Sequence, residues 1–199
     1  MRSRWLTLIL PLALAGCGYN QIQTMDERAQ SAKQQIEVQL QRRADLIPNL
    51  VGTVKGYAQH EEEVFTKVAE ARSGLLNAVK SGDPAQEASA NAQLTSTLGR
   101  LMVVAEAYPQ LKADQGFLRL QDELTGTENR IATSRQDYND AVKEYNTYIR
   151  TFPSVLMAKV TGAKQRAYFE TTSAEAREAP KVDFGTKPAA PPAAAAKSP

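Results

Sequence analysis

The chain has 199 residues, with 24 lysines and arginines against 22 acidic residues. That balance leaves no clustered positive footprint of the kind a nucleic-acid surface requires. A single cysteine, Cys17, and a single histidine, His60, exclude an intrachain disulfide and a zinc site built on several Cys or His ligands.

Taken from the start, Arg2 and Arg4 precede an apolar run from Trp5 to Ala15, which ends in Leu14-Ala15-Gly16-Cys17. A basic start, a short apolar stretch and small residues before a cut site form a secretory signal peptide. The run is shorter than the roughly 20 residues that span a bilayer. With cysteine directly after Leu-Ala-Gly, the segment resembles the lipobox of bacterial lipoproteins. That resemblance implies acylation of the Cys17 thiol, cleavage before it, and usually acylation of the new amine, leaving no free thiol for catalysis. An ordinary secretory signal with an incidental cysteine, or an uncleaved anchor, are the alternatives. Removal of residues 1–16 takes two arginines and no acid, so 22 of each sign remain. Gly18 in place of aspartate after the cysteine resembles lipoproteins sorted to the outer membrane in two-membrane bacteria. Residues 17–23 then form a short lipid-anchored linker.

The body that follows, 24–184, reads as helix. Ile22, Met25, Ala29, Ala32, Ile36 and Leu40 recur at three- and four-residue steps, as do Val64, Val68, Ala71, Leu75 and Ala78. Leu94, Leu98, Leu101 and Ala105 form a third stripe. A fourth, on the longest helix, takes Leu118, Leu124, Ile131, Tyr138, Val142, Tyr145 and Ile149. Between the second and third, Ser81-Gly-Asp-Pro84 places Asp83 as N-cap and Pro84 at the first helical position. Tyr108-Pro109, Asp114-Gln-Gly and Phe152-Pro153 punctuate the rest. Pro48 must kink or end the first helix. The apolar pattern through Leu46, Ile47, Leu50, Val51 and Val54 favours a kinked helix to about Gly56, with the next starting near His60-Glu61; a tight turn at Ala44–Ile47 is the alternative. The fold class is all-α, an antiparallel up-and-down bundle of four long helices plus a short C-terminal helix. About 160 residues suffice for one domain. Lys181-Val182-Asp183-Phe184 can lie extended against it, and the Pro/Ala-rich residues 185–199 are expected to be disordered.

Arg43-Ala-Asp-Leu-Ile-Pro-Asn-Leu-Val-Gly-Thr-Val-Lys-Gly-Tyr-Ala-Gln-His-Glu61 resembles the signature of the LemA family. Val68-Ala-Glu-Ala-Arg72, Glu106-Ala-Tyr-Pro-Gln-Leu111, Glu128 through Arg135, Tyr138 through Asn146, Phe152-Pro153 and Tyr168-Phe169-Glu170 continue it. The resemblance covers about Tyr19 to Phe184. It implies a four-helix-type bundle outside the cytoplasm without a defined biochemical activity, an accessory to membrane-associated proteins such as peptidases or envelope quality control. Many members keep an N-terminal transmembrane anchor, which the lipobox would replace here.

Arg43, Asp45, Asn49, Arg72, Glu106, Arg135, Tyr138, Asn139, Tyr145 and Asn146 are the polar residues of these motifs. The Tyr138/Tyr145 and Asn139/Asn146 pairs, each seven apart, share a helix face that could line a polar channel or bind an extended partner. The simpler reading has these side chains satisfying one another and fixing register, with Arg and Asp in ion pairs. Asp45, Glu61, Glu106 and Glu128 are the only acid–base candidates, and no spacing selects two of them. His60 stands alone beside Glu61-Glu-Glu63, where carboxylates suit a helix start. No catalytic motif, metal site or cofactor is expected. The expected protein is a non-enzymatic, lipid-anchored bundle. Its partners are the membrane, through Cys17, and an unidentified membrane or envelope protein, but no nucleic acid. Lipid or small-molecule binding within the bundle is the alternative.

Overall fold

The computed structural model describes residues 3–58 and 60–170, with side chains described from Gly18 onward. The Cys17 side chain, Lys181–Phe184 and the tail 185–199 lie outside the described residues. Six helices follow in order: α1 (Ser3–Lys55), α2 (Glu62–Ser81), α3 (Pro84–Glu106), α4 (Pro109–Lys112), α5 (Gln115–Tyr148) and α6 (Ser154–Thr161). No strand occurs among the described residues.

Cross-helix pairs give the topology. Arg28 meets Glu144, Arg43 meets Glu128 and Tyr57 meets Asp114, so α5 runs antiparallel to α1 along its length. Lys33 reaches Gly82 and Arg72 reaches Ala44, which sets α2 antiparallel to α1. Arg43 on Asn91 and Lys33 on Glu87 run α3 parallel to α1. The bundle is therefore up-down-up-down, with α4 a single turn in the α3–α5 connection.

The core follows seven-residue seams. On α1, Ile22, Ala29, Ile36 and Leu50, with Leu40, Ile47 and Val54, are all 1% exposed or less. Phe117, Leu124, Ile131, Tyr138 and Tyr145 line α5 in the same step, all buried. Leu118, expected on this stripe, is 38% exposed because Phe117 occupies the seam position next to it. A smaller cluster of Ile22, Tyr145, Ile149 and Ala158 closes the end where α1 emerges and α6 packs.

Ends match the punctuation. Asp83 accepts from the Ala85 amide at 2.9 Å with Pro84 inside the first turn, and Asp114 accepts from the Phe117 amide at 2.8 Å. Gly82, at φ 67°, closes α2 in the left-handed region where a side chain would be strained. Two readings are refined. Residues 18–23, expected as a linker, continue α1 as helix, because Ile22 is 1% exposed and belongs to the seam. Pro48 does not end α1. Proline has no N–H for the carbonyl four residues back, and that carbonyl, Ala44 O, instead accepts from Arg72 Nε at 2.8 Å.

Candidate functional site

The tyrosine–asparagine face of α5 grips a backbone. Asn146 donates from Nδ2 to the Arg166 carbonyl at 2.9 Å and accepts from the Arg166 amide at 2.9 Å. Asn139 does the same at Phe169, at 3.2 and 2.8 Å. The Tyr138 hydroxyl donates to the Ala167 carbonyl at 2.8 Å. Seven helical residues rise about 10.5 Å, and three extended residues span about 10 Å. Positions 139 and 146 therefore meet 169 and 166, with the non-helical strap 163–170 antiparallel to α5. The expectation that these side chains satisfy one another is corrected. A carboxamide sets an N–H donor beside a carbonyl acceptor, and the C=O and N–H of a single extended residue match both.

Around the strap, Phe169 is 2% exposed and the Arg135 guanidinium lies 5.0 Å from its ring centroid. Arg166 forms a bidentate pair with Asp26 of α1 (2.7 and 3.0 Å) and donates to Gln30 at 3.0 Å. Arg166 and the Tyr145 hydroxyl hold the Asp26 carboxyl below its ordinary range. The strap thus ties α1 to α5. Asn146→Ala and Asn139→Ala each remove two hydrogen bonds worth about 1 kcal/mol apiece. Hydrogen exchange at the Arg166 and Phe169 amides should then quicken by on the order of tenfold, with the α1 and α5 cores unchanged.

Charge enters the core at two levels. Arg43, buried, donates to Asn91 Oδ1 at 2.5 Å, to Thr95 Oγ1 at 3.0 Å and to the Glu128 carboxylate. Its Nε is buried with no partner, and burial lowers the guanidinium's pKa against the pull of Glu128. Just under three turns along α1 toward Gly18 lies Lys33, also buried. It donates to Glu37 at 2.8 Å and to the Gly82 carbonyl, with Glu87 at 3.6 Å. Burial opposes the Lys33 charge, but Glu37 and Glu87 outweigh it and raise its pKa. Glu87 is fully buried and neither carboxylate oxygen has a hydrogen-bond partner. Desolvation raises it to about 7, with Glu37 and Asp83 adding to the rise and Lys33 opposing it.

The other motif residues scatter. Asp45 is exposed and accepts from Gln41 at 2.9 Å. Asn49, Glu106 and His60 are exposed. The four carboxylates considered as acid and base sit on different elements: Asp45 in mid α1, Glu61 before α2, Glu106 at the end of α3, and Glu128 on α5 with Arg43. Among the described residues no group of three His, Cys, Asp or Glu side chains could hold a metal, and no helix is long and apolar enough to cross a membrane. A concavity of about 1460 Å³ lies on the flank rather than in the core, between α1, α5 and α6, with Met25, Tyr148, Phe152, Leu156 and Met157 among its apolar walls.

Lys33, Glu87, Asn91, Asp26 and Arg166 were not singled out by motif. The signal was present in the seams: Glu87 and Asn91 extend the Leu94/Leu98 stripe backwards by seven residues. Lys33 and Arg43 lie seven from Leu40 and Ile36.

Fold and site define an all-α antiparallel bundle whose fourth long helix, α5, binds the chain's own strap 163–170. The chain belongs to the LemA family: the model described as "LemA family" matches residues 32–184. Among curated relatives, Magnetosome protein MamQ 2 of Paramagnetospirillum magneticum is 30% identical over 189 residues, covering 83% of this chain and 69% of the relative. Magnetosome protein MamQ of Magnetospirillum gryphiswaldense is 29% identical over 175 residues (76% and 64%). Protein LemA of Metamycoplasma hominis is 26% identical over 167 residues (84% and 73%).

Proposed function

We propose that this chain is a lipid-anchored, non-enzymatic bundle that binds other proteins at a bacterial envelope membrane, tethered through Cys17. In a two-membrane bacterium it faces the periplasm from the outer membrane. The observation that carries the reading is how the motif side chains are used. Arg43, Arg72, Asn139, Asn146 and Tyr138 are bonded to this chain's own backbone and side chains, so these motif side chains are engaged in the fold rather than presented to a substrate. The magnetosome designation of relatives agrees with a place at a membrane. The bundle's available surface is its helix faces and the flank groove beside Gly18, the mode by which helical proteins receive partner segments.

Cross-linking in living cells, with the normal chain and with Cys17→Ala, tests the reading. A discrete envelope protein captured by the normal chain and lost with Cys17→Ala is expected. Recovery of both forms alone, or only with themselves, would overturn it. The groove supports a second reading, a bound lipid or small apolar molecule, which a lipid recovered with the purified protein would favour.

A further inference from the structure

The anchored end of the bundle carries an exposed apolar stripe with no counterpart inside the fold. Leu156 is 56% exposed and Val160 81%, four residues apart on one side of α6, and Phe152, 76% exposed, stands in the turn that enters the helix. The opposite side of α6 is in use: Ala158 joins the cluster of Ile22, Tyr145 and Ile149, and Met157 packs beside Gly18. So α6 is amphipathic twice over, with one apolar face in the bundle and another turned outward.

Position and charge say what covers the outward face. Because Met157 lies beside Gly18, α6 packs one residue in sequence from Cys17, at the end where the chain would meet the bilayer. Tyr19, 45% exposed, adds an aromatic at the same end, a side chain suited to the boundary between headgroups and acyl chains. Between Glu144 and Glu170 the chain carries Arg150, Lys159, Lys164 and Arg166 and no acid. Arg166 is taken by Asp26, while the other three are exposed. Apolar side chains on a segment whose own charges are all basic, beside an anchor, match the chemistry of an anionic phospholipid surface, while Asp137, Asp140 and Glu144 line the groove that Phe152 and Leu156 also wall.

We infer that α6 is a membrane-contact helix: Phe152, Leu156 and Val160 enter the interfacial layer of an anionic bilayer and fix the bundle's orientation on it. This rests on the proposed anchor at Cys17. A lipid tether alone holds the chain near the surface but lets it pivot, whereas a second contact on α6 sets which faces point away from the membrane.

The test uses the full chain, carrying Trp5→Phe to remove the sole native tryptophan. It is purified from membranes and reconstituted in vesicles of phosphatidylethanolamine and phosphatidylglycerol with brominated acyl chains. Val160→Trp and, independently, Phe152→Trp report from the stripe. Val103→Trp, at a site 68% exposed near the far end of α3, is the reference. Blue-shifted emission and severalfold stronger quenching at 160 and 152 than at 103 are expected, weakening when phosphatidylglycerol is replaced by phosphatidylcholine. Quenching at 160 and 152 no greater than at 103, in protein shown by mass to be acylated and by flotation to be vesicle-bound, would overturn the inference and leave the anchor standing. If the mass shows no acyl chains, the anchor reading falls. The contact then stands only if added vesicles still quench position 160, and is overturned if they do not.

Discussion

Glu87→Gln should stabilise the protein at pH 8 and change little at pH 4. Glu87 is fully buried with both oxygens unpartnered, and desolvation raises its pKa from 4.5 to about 7 although Lys33 opposes the rise. An acid whose folded pKa lies above its unfolded one binds a proton on folding. Its contribution is intact below 4.5 and is lost as pH climbs from there to about 7. A displacement of that size corresponds to about 3 kcal/mol. Glutamine has the same shape and no charge to desolvate, and Lys33 keeps Glu37 and the Gly82 carbonyl. The groups that face Glu87 are Lys33, Glu37, Asp83 and Tyr138. Thermal melts of both proteins from pH 4 to 8 isolate its share. The two curves should meet near pH 4 and separate in favour of Glu87→Gln above pH 6. Parallel curves would mean that Glu87 stays ionised in the fold.

Arg43 carries the other large effect. Its guanidinium binds Asn91 and Thr95 on α3 and Glu128 on α5 from a buried position on α1. Arg43→Ala leaves Asn91 without its charged donor, frees the Glu128 carboxylate and opens space in the seam, at a cost of about 3–5 kcal/mol. Arg43→Met keeps the chain length and removes a charge whose Nε has no partner, so it should cost much less. Urea unfolding of both variants measures the difference. Equal losses would show that the charge itself, not the volume, holds the three helices in register.

These two sites mark what the sequence did and did not make visible. Apolar periodicity located all four long helices, and the caps at Asp83 and Asp114 stand where turn chemistry put them. Pro48 was ambiguous from sequence because its outcome depends on Arg72, 24 positions away, whose Nε takes the Ala44 carbonyl that proline leaves unbonded. Lys33 and Glu87 are invisible to three- and four-residue stripes of apolar residues alone, which take Ala32 in place of Lys33. A strict seven-residue step would have marked both as charges in a seam. The asparagine pair on α5 was legible as one helix face, but the reading that its side chains satisfy one another stood ahead of a face that binds something extended. That its occupant is strap 163–170 of the same chain was not legible, since nothing local in Arg166–Phe169 announces a helix partner.

Buried polar groups in a bundle do more for register than for stability. Arg43 admits a single alignment of α1, α3 and α5, and the Asn139/Asn146 spacing admits a single placement of the strap. This is consistent with motif residues that serve the fold while the groove and α6, at the Gly18 end, face outward.

The most direct test of the membrane-tethered account is the intact mass of the protein extracted from cell membranes. The account predicts a chain beginning at Cys17 and heavier than its polypeptide by a diacylglycerol, with or without a third acyl group. A chain of unmodified mass, whether it begins at Met1, at Cys17 or elsewhere, would contradict it.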